Sequence, residues 1–477
     1  MSDPFVFGVE WELAVGCTDP RTALGRERAY MLLRQAVCDR APWLSDGASG
    51  VFTPAFRLYL DTGMHPEVAS AEVSSPIEML ELKQAIFAAL ADAARRVREQ
   101  IPGFVLAANN HDYLDTTAFW GCHESYAMRC HPSALAGGML PFLATRHLLA
   151  GNGRIDRHGR VLFSSRAQAM MLATGGATTS DRALYSTARD EPLMTHGPFK
   201  HRLHLICGDA VRSQLSEYLK LATTALVLRW LEEDPNGAND LNAQSPVRLL
   251  RAANVFWRPD RGLHVHPRAL SIQRAYCDRV AGFVARRSSL PAWCSEAAAR
   301  WANTLDLLQA DPLALIDRLD PFIKLAFWDA SLQALGKKWT DLAVSKPLYQ
   351  QLALLDVAYH TLDDSGPFGQ LDGSGALRHR VLDSTALGHE VAKRLGTRAA
   401  ARATLIEKLT GQRDTYCGWA AVWSYSPVGY YDLCDPTLRE PPPFRDRKDR
   451  RLPPPGAVLV PDGFRTLLDD DLEFDPE

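Results

Sequence analysis

The chain has 477 residues, 46% hydrophobic and 23% charged, which is enough for one large domain and a smaller one. A net charge of −3, the lack of a transmembrane-length apolar run and a start without a signal-peptide pattern argue against nucleic-acid and membrane partners. Nine scattered cysteines without metal-type spacing indicate reduced thiols and a cytoplasmic location.

Alternating apolar and polar residues predict strands over residues 5–15 and 51–61, with a helix between them at about 26–39. In the first strand, Glu10 and Glu12 share one face. Because neighbouring carboxylates repel each other unless a cation lies between them, this pair indicates a site for a divalent cation.

The second strand has an apolar face and a polar face, and the polar face carries Arg57, Tyr59 and Asp61. Glu67 follows shortly after and returns another carboxylate to the end of the strand. Such a face suits charged ligands, and the alternative is an amphipathic surface strand whose polar side is only solvated.

Further along the chain, Arg202 and His204 share the polar face of a third predicted strand. Three strands with complementary polar faces favour a metal and phosphate site over three unrelated surface strands. The clearest helix is predicted from Asp209 to Glu233, and Asp209 is expected to cap its start. The other predicted elements are helices at 76–100, 264–310 and 312–336 and a strand at 104–108.

A turn-rich stretch at 363–375 predicts a boundary between a catalytic domain, 1–375, and a small C-terminal domain, 376–477. The second part contains a helix near 388–411, an aromatic segment at 416–431, a Pro/Arg-rich run at 438–455 and an acidic end at Asp469-Asp470-Asp471.

Six motifs in chain order resemble those of the Pup ligase and depupylase family, which is related to glutamine synthetase. They are Gly8–Glu12, Arg57–Glu72, Asn109-Asn110, Gly121–Tyr126, Arg189–Pro192 and Arg202–Leu228. The similarity covers most of the chain and weakens after about residue 365. It implies an α+β fold with a glutamine-synthetase-like, curved and mostly antiparallel sheet flanked by helices, followed by a small C-terminal α/β domain.

The resemblance implies ATP and Mg²⁺ as cofactors and gives individual residues roles. Asp61 matches the general base, which would accept a proton from an incoming amine. Glu10, Tyr59 and Glu67 match magnesium-binding positions, and Glu12 is a candidate for a second metal. The candidates for contacts with the nucleotide and its phosphates are Arg57, Ser70, Arg202, His204, Trp423, Arg166 and Arg189.

Several of these residues have structural alternatives. Asp61 could cap a strand end, His204 could be a hydrogen-bonded core histidine, and Arg166 could form an ion pair. Trp419 competes with Trp423 for the adenine, and either ring could belong to the core. His123 and Glu124 lie in a motif whose role stays open.

Two departures from the family pattern are Trp11, where a small Thr is usual, and Val68, where an aromatic is usual. We expect them to lie near substrate-facing surfaces.

Local spacing favours the ligase branch over the depupylase branch. The resemblance implies that the His after the catalytic Asp lies four positions later in ligases and three positions later in depupylases. Here His65 lies four positions after Asp61. Glu10 and Asp61 are too close for the long depupylase insertion, and Ala69–Glu72 resembles the ligase pattern.

The expected activity is therefore ATP-dependent formation of an amide or isopeptide bond through an acyl phosphate. Its partners would be a carboxylate-bearing substrate, either a small Pup-like modifier protein or a small-molecule glutamate, and an amine acceptor. A depupylase-type amidohydrolase and an inactive nucleotide-binding homologue are the alternatives.

Overall fold

The computed structural model describes residues 4–446 apart from 20–21, 23, 114–117, 178–179, 188–196, 242 and 383–387. The described strands are β1 Phe7–Glu12, β2 Ala14–Cys17, β3 Leu44–Ser45, β4 Val51–Phe52, β5 Phe56–Leu60, β6 Pro66–Ser70, β7 Phe104–Ala107, β8 Cys122–Met128, β9 Arg154–Ile155, β10 Val161–Leu162, β11 Leu172–Gly175, β12 Ala183–Ser186, β13 His201–Gly208, β14 Val255–Arg258, β15 Gly262–Leu263, β16 Thr415–Cys417, β17 Ala421–Tyr425, β18 Val428–Asp432 and β19 Phe444–Asp446.

The described α-helices are α1 Arg26–Cys38, α2 Pro76–Gln100, α3 Ala136–Leu143, α4 His147–Ala150, α5 Gln214–Glu233, α6 Pro246–Ala253, α7 Pro267–Ala285, α8 Trp293–Ala310, α9 Asp320–Ala334, α10 Lys346–Tyr359, α11 Pro367–Gly373 and α12 Arg398–Leu409. Short 3₁₀ turns cover Pro132–Leu135, Arg166–Gln168, Pro312–Leu315, Trp339–Ala343 and Gly388–Arg394.

A sheet of eleven strands organises the described chain, in the order β13-β8-β1-β6-β5-β4-β3-β16-β17-β18-β19. Neighbouring strands in it pair antiparallel, except that β3 and β16 are parallel where Ser45 lies opposite Tyr416. Smaller sheets hold the remaining strands. The predicted α+β class and mostly antiparallel sheet are confirmed.

One face of this sheet packs on the main hydrophobic core. Val9, Trp11 and Leu58 are fully or almost fully buried there, together with residues of α1, α2 and α5. The predicted alternation is confirmed within β1 and β5, because the residues between these apolar ones lie on the opposite face. The predicted bounds are wrong, since the segment 5–15 is divided between β1 and β2, and the segment 51–61 forms the antiparallel pair β4 and β5. Among the described helices, none is both long and apolar enough to cross a bilayer.

The two longest helices behind the sheet start at serine caps. Ser75 accepts a hydrogen bond from the Glu78 amide at the start of α2, and Ser213 accepts one from the Ser216 amide at the start of α5. The prediction that Asp209 caps α5 is wrong, because the helix begins five residues later. Asp209 is instead buried, and its Oδ1 accepts hydrogen bonds from the Ser165 hydroxyl and the Arg166 amide at 3.1 and 3.0 Å.

Three of the predicted helices are shorter or divided in the structure. The segment 264–310 is two helices, α7 and α8, with a break that contains Pro291. The segments 312–336 and 388–411 each begin with a 3₁₀ turn before α9 and α12. The aromatic segment after Tyr416 forms β16, β17 and β18.

Trp11 and Val68 lie directly opposite each other across β1 and β6, and both side chains are fully buried. The expectation that these positions face a substrate is therefore wrong. Trp11 packs in the core, with its ring 5.4 Å from that of Phe87.

The C-terminal strands continue the main sheet rather than building a separate one. Glu72, just after β6, forms buried ion pairs with Arg398 and Arg402 of α12. The boundary at residue 375 stays a prediction, and contacts of this kind cross it. Asp469-Asp470-Asp471 and the part of 438–455 after residue 446 lie outside the described residues.

Candidate active site

Neighbouring strands place the predicted polar residues in rows on the face of the sheet opposite the core. One row consists of Glu12, Glu67 and Tyr59, because Glu67 on β6 lies opposite Glu12 on β1 and opposite Tyr59 on β5. The next row contains Glu10 and His123, which lie opposite each other on β1 and β8. Directly opposite residues share a face, so four strands bring these side chains together.

His123 lies at the centre of three glutamates. Its Nδ1 is 3.5 Å from Glu10 Oε2 and 3.9 Å from Glu67 Oε1, and its Nε2 is 3.5 Å from Glu12 Oε1. Glu12 is also anchored by the Gly121 amide, which donates to Oε2 at 2.6 Å. These contacts hold three carboxylates close together on one surface.

The crowding changes how the carboxylates ionise. Burial raises the pKa of Glu67 well above its usual range, and the negative charges of Glu10 and Glu12 raise it further. Burial also raises the pKa of Glu10, but His123, His204 and Arg202 outweigh it and hold that pKa below the usual range. One glutamate therefore remains charged while its neighbour tends to keep a proton.

Tyr59 belongs to the same cluster through a hydrogen bond with Glu67. Burial raises the pKa of its phenol well above the usual value, and the charges of Glu67 and Glu10 add to this effect. With no cation bound, Tyr59 is thus a neutral hydrogen-bond donor to the carboxylates.

Asp61 follows β5 at the edge of the cluster. Its Oδ1 accepts a 2.5 Å hydrogen bond from the His65 amide, and its Oδ2 is 3.7 Å from His65 Nδ1. The His65 ring packs against Trp120 with 5.1 Å between the ring centroids. Burial raises the pKa of Asp61, but hydrogen bonds from His65 outweigh burial and lower it, so the carboxylate is ionised at neutral pH.

Arg57 extends the polar face towards β4. Its Nε and Nη2 donate to Asp46 Oδ2 at 3.1 and 2.6 Å, and its guanidinium carbon lies 4.2 Å from the centroid of the Tyr59 ring. The side chain is 26% exposed, so a ligand can still reach it.

The two candidate tryptophans have different surroundings. Trp423, on β17, stacks on Tyr416 with 5.9 Å between the ring centroids and an angle of 24° between the planes. Trp419 packs edge-on against Phe52 and lies under Arg402, within the smaller core between the sheet and α12. Trp419 therefore has a packing role, which favours Trp423 for the adenine.

Ser70 is buried, and its hydroxyl accepts a 3.0 Å hydrogen bond from the Val9 amide. This bond ties β6 to β1, so the hydroxyl has a role within the sheet. Its predicted contact with a nucleotide stays a prediction.

Two further predicted residues, Arg202 and His204, lie on the other side of the cluster, and a third, Arg189, cannot be placed. His204 is buried, with Nδ1 3.2 Å from the Ser125 hydroxyl and its ring 5.1 Å from that of His123. Arg202 shares its face and lies close enough to lower the pKa of Glu10. Arg189 lies outside the described residues.

Arg166 is buried beside the cluster and donates from Nη2 to the Ile206 carbonyl at 2.9 Å. Burial lowers its pKa, while the charges of Glu12 and Asp209 oppose this shift. Among the described residues its Nε has no hydrogen-bond partner. A buried guanidinium with a spare donor suits a phosphate oxygen.

The donor set fits a hard divalent cation. Within the described residues, the triads Glu10–His123–His204 and Glu12–Glu67–His123 each place ligand atoms within 4.8 Å of one another. Glu10 Oε2 is buried without a hydrogen-bond partner there, and Tyr59 adds a fourth oxygen donor next to Glu67. Oxygen ligands in this number match Mg²⁺, which usually keeps some of its waters.

Two residues at this site were not among the predicted ligands. His123 was left with an open role, although its place in the alternating segment Cys122–Met128 puts it on the same face as Glu10. Asp46 gave no sequence signal, because it lies in a short turn outside any motif. Glu124, the other open residue, is fully buried in an ion pair with Arg146 at 2.6 Å, which is a structural role.

A profile of the family described as Pup-ligase protein matches residues 17–423 of the chain. The chain belongs to the Pup-ligase family. It is 32% identical over 428 residues to the Pup–protein ligase of Paenarthrobacter aurescens strain TC1, covering 85% of this chain and 90% of that protein. It is 31% identical over 434 residues to the Pup–protein ligase of Nocardioides sp. strain ATCC BAA-499 / JS614, covering 87% of this chain and 92% of that protein.

Solved structures of this family have the same fold. The ligase PafA in complex with the prokaryotic ubiquitin-like protein Pup superposes with a TM-score of 0.71 at 23% identity, covering 91% of this chain and 90% of that chain. PafA in complex with ADP superposes with a TM-score of 0.69 at 23% identity, covering 88% and 92%. The profile and the two related ligases confirm the family resemblance inferred from the motifs, and these structures confirm the fold.

Proposed function

We propose that this chain is an ATP-dependent ligase that joins the carboxylate of Pup, or of a similar small modifier protein, to an amine. Membership of the Pup-ligase family supports the reaction class and does not favour the depupylase alternative. The observation that carries the proposal is the convergence of Glu10, Glu12, Glu67 and Tyr59 beside an ionised Asp61. A protein that only binds nucleotide would have little use for such a base.

Two chemical steps follow from this arrangement. The substrate carboxylate attacks the γ-phosphorus of ATP, which releases ADP and leaves an acyl phosphate. The amine then attacks the acyl carbon, an amide bond forms, and inorganic phosphate leaves with the bonding electrons. When bound, Mg²⁺ would neutralise charge on the transferring phosphoryl group.

Different residues of the chain are proposed to bind the cation and to accept the proton. We assign Glu10, Tyr59 and Glu67 to hold the cation, with Glu12 and His123 beside them. Asp61 is placed to orient the amine and accept its proton, since its carboxylate is ionised and fixed by the His65 amide.

Positively charged side chains surround the place where the phosphates would lie. Arg57 and Arg166 would donate to phosphate oxygens, and Arg202 adds positive charge on the far side of the cluster, where His204 shares its face of β13. Trp423 would stack on the adenine. The amine acceptor is proposed to be a lysine side chain of a protein.

The cytoplasm is the proposed location. The nine cysteines are all free in the structure, as is usual for proteins of a reducing compartment.

The test is conjugation by the purified chain with ATP, Mg²⁺, an acceptor protein and a Pup-like protein ending in Gly-Gly-Glu. The ligase proposal predicts a new conjugate and one ADP for each bond formed. Shortening of a preformed conjugate would support the depupylase alternative, and nucleotide binding without any ADP release would support an inactive homologue. Conjugation of free glutamate in place of the protein would identify a small-molecule substrate.

The variant Asp61→Asn tests whether Asp61 acts as the base or only supports the fold. We expect it to lower the conjugation rate by at least about 100-fold, while ADP affinity stays within about 3-fold of the unmodified protein. Asp306→Asn, at an exposed position, is the control and should leave both quantities unchanged. Loss of ADP binding and of the folded state in Asp61→Asn would show a structural role instead.

A further inference from the structure

The turn between β3 and β4 is organised around the Asp46 carboxylate. Asp46 Oδ1 accepts hydrogen bonds from the amides of Ala48 and Gly50 at 2.8 and 3.0 Å. Its Oδ2 accepts both hydrogen bonds from Arg57. The side chain is only 5% exposed, so the turn and the arginine are held together by one buried group.

These bonds fix the orientation of Arg57. They use the edge of the guanidinium formed by Nε and Nη2, which leaves the Nη1 donors and the second Nη2 proton for a ligand. The aromatic rings of Tyr59 and Phe52 lie 4.2 and 5.8 Å from the guanidinium carbon. An arginine restrained on one edge and packed against rings loses little freedom when an anion binds the other edge.

The same turn also reaches the aromatic pair on β16 and β17. Gly47 follows Asp46 with a φ of +86°, and a Cβ there would lie 3.9 Å from both Trp423 and Tyr416. The turn therefore lies beside the ring assigned to the adenine and holds the arginine assigned to the phosphates.

We propose that Asp46 is a positioning residue for the nucleotide, which keeps Arg57 aligned while the nucleotide binds. This proposal rests on the proposed nucleotide-binding role of Arg57. The opposite role would be competition, in which Asp46 occupies Arg57 until a phosphate displaces it. Displacement would break both hydrogen bonds from Arg57 and leave Oδ2 of a buried carboxylate without these partners, so the geometry favours positioning.

Two single variants test the role in different ways. Asp46→Asn keeps the shape and removes the charge. Gly50→Ala keeps the charge and displaces the carboxylate, because a Cβ at Gly50 would lie 2.3 Å from Asp46 Oδ2; it would also lie 3.0 Å from the Cβ of Tyr59. Asp39→Asn, an exposed aspartate at the end of α1, is the matched control.

The measurements are the Kd for ADP by calorimetry and the KM for ATP and kcat for conjugation, on full-length chains with matching circular dichroism spectra. Asp46→Asn and Gly50→Ala should each raise the Kd and KM by about 5- to 50-fold and leave kcat within about 3-fold. A merely structural defect would instead lower the amount of active protein and reduce kcat at unchanged KM. In an Arg57→Ala background, Asp46→Asn should change the Kd by less than about 2-fold, because its effect passes through Arg57.

Three outcomes would overturn the inference. Unchanged ADP affinity in both single variants would show that Asp46 does not position Arg57. Tighter binding by Asp46→Asn would show competition. Equal losses with and without Arg57 would show that the turn acts by another route. If the unmodified chain itself binds neither ADP nor ATP, the proposed function fails first, and this inference fails with it.

Discussion

Replacing Glu72 with glutamine should weaken the attachment of α12 to the main sheet. Glu72 Oε1 accepts from Arg398 Nε at 2.8 Å, and Oε2 accepts from Arg402 Nη2. The side chains of Arg398 and Arg402 are 5% and 2% exposed. Glutamine has the same shape but no charge, so the variant leaves two buried guanidinium groups without their counter-charge.

The pKa of Glu72 gives the size of the effect. Burial raises this pKa, but Arg402 and Arg398 outweigh burial and lower it from 4.5 to about 2. At about 1.4 kcal/mol for each pKa unit, the difference corresponds to roughly 3 kcal/mol of folding free energy at pH 7. This agrees with the range of about 3–5 kcal/mol for breaking a buried ion pair by removing one partner.

The effect should depend on pH in a defined direction. Because the folded-state pKa lies below the unfolded-state value, the stabilisation is complete above about pH 5 and is lost as the pH falls towards 2. At pH 3 the linkage relation leaves less than half of this stabilisation, roughly 1 kcal/mol. Glu72→Gln carries no such titration, so the difference between the two proteins should shrink as the pH is lowered.

Urea unfolding followed by tryptophan fluorescence, at several pH values between 7 and 3, measures this difference. Glu99→Gln, which removes an exposed carboxylate 3.5 Å from Arg95, is the control and should change stability by less than about 0.5 kcal/mol. A Glu72→Gln variant within about 0.5 kcal/mol of the unmodified protein at pH 7, or a deficit that stays constant with pH, would refute the reasoning.

Three further predictions concern the site and its scaffold. Trp423→Ala should weaken ADP binding by about 10-fold or more, whereas Trp419→Ala should mainly lower the melting temperature; the reverse pattern would assign the adenine to Trp419. His123→Asn should raise the Mg²⁺ concentration that gives half-maximal ATP turnover by about 10- to 100-fold, because it weakens metal binding. An unchanged Mg²⁺ titration would show that His123 does not belong to the metal site. Ser213→Ala removes the cap of α5 and its 2.5 Å bond to the Arg318 carbonyl, which should cost about 1–2 kcal/mol in urea unfolding; a loss below 0.5 kcal/mol would contradict the capping role.

The polar face of the site could be predicted because side chains on a strand alternate strictly. Once Glu10 and Glu12 are placed on one face of β1, Val9 and Trp11 must lie on the other face, and these two side chains are the buried ones. Which strands become neighbours does not follow from alternation. The family resemblance supplied that information, and the structure adds the register that sets Glu67 opposite both Glu12 and Tyr59.

The start of α5 shows where local pattern is insufficient. Both Asp209 and Ser213 are good capping residues, and nothing nearby in the sequence chooses between them. The choice is made by tertiary contacts, since the Ser165 hydroxyl and the Arg166 amide bind Asp209, which holds it away from the helix. The role of Asp46 could not be predicted from the local pattern either, because Asp46 lies in a turn and its partner Arg57 lies on β5.

The parallel contact between β3 and β16 has a consequence for how the protein is made. Next to it, the Trp43 amide donates to the hydroxyl of Thr410, a residue 367 positions later in the chain. At roughly 5–20 residues per second, a ribosome needs roughly 20 to 70 s to bridge that separation. Throughout this interval the nascent polypeptide carries the edge of β3 without its partner strand β16 and Glu72 without the arginines of α12, so its dependence on chaperones should last until those later segments have been synthesised.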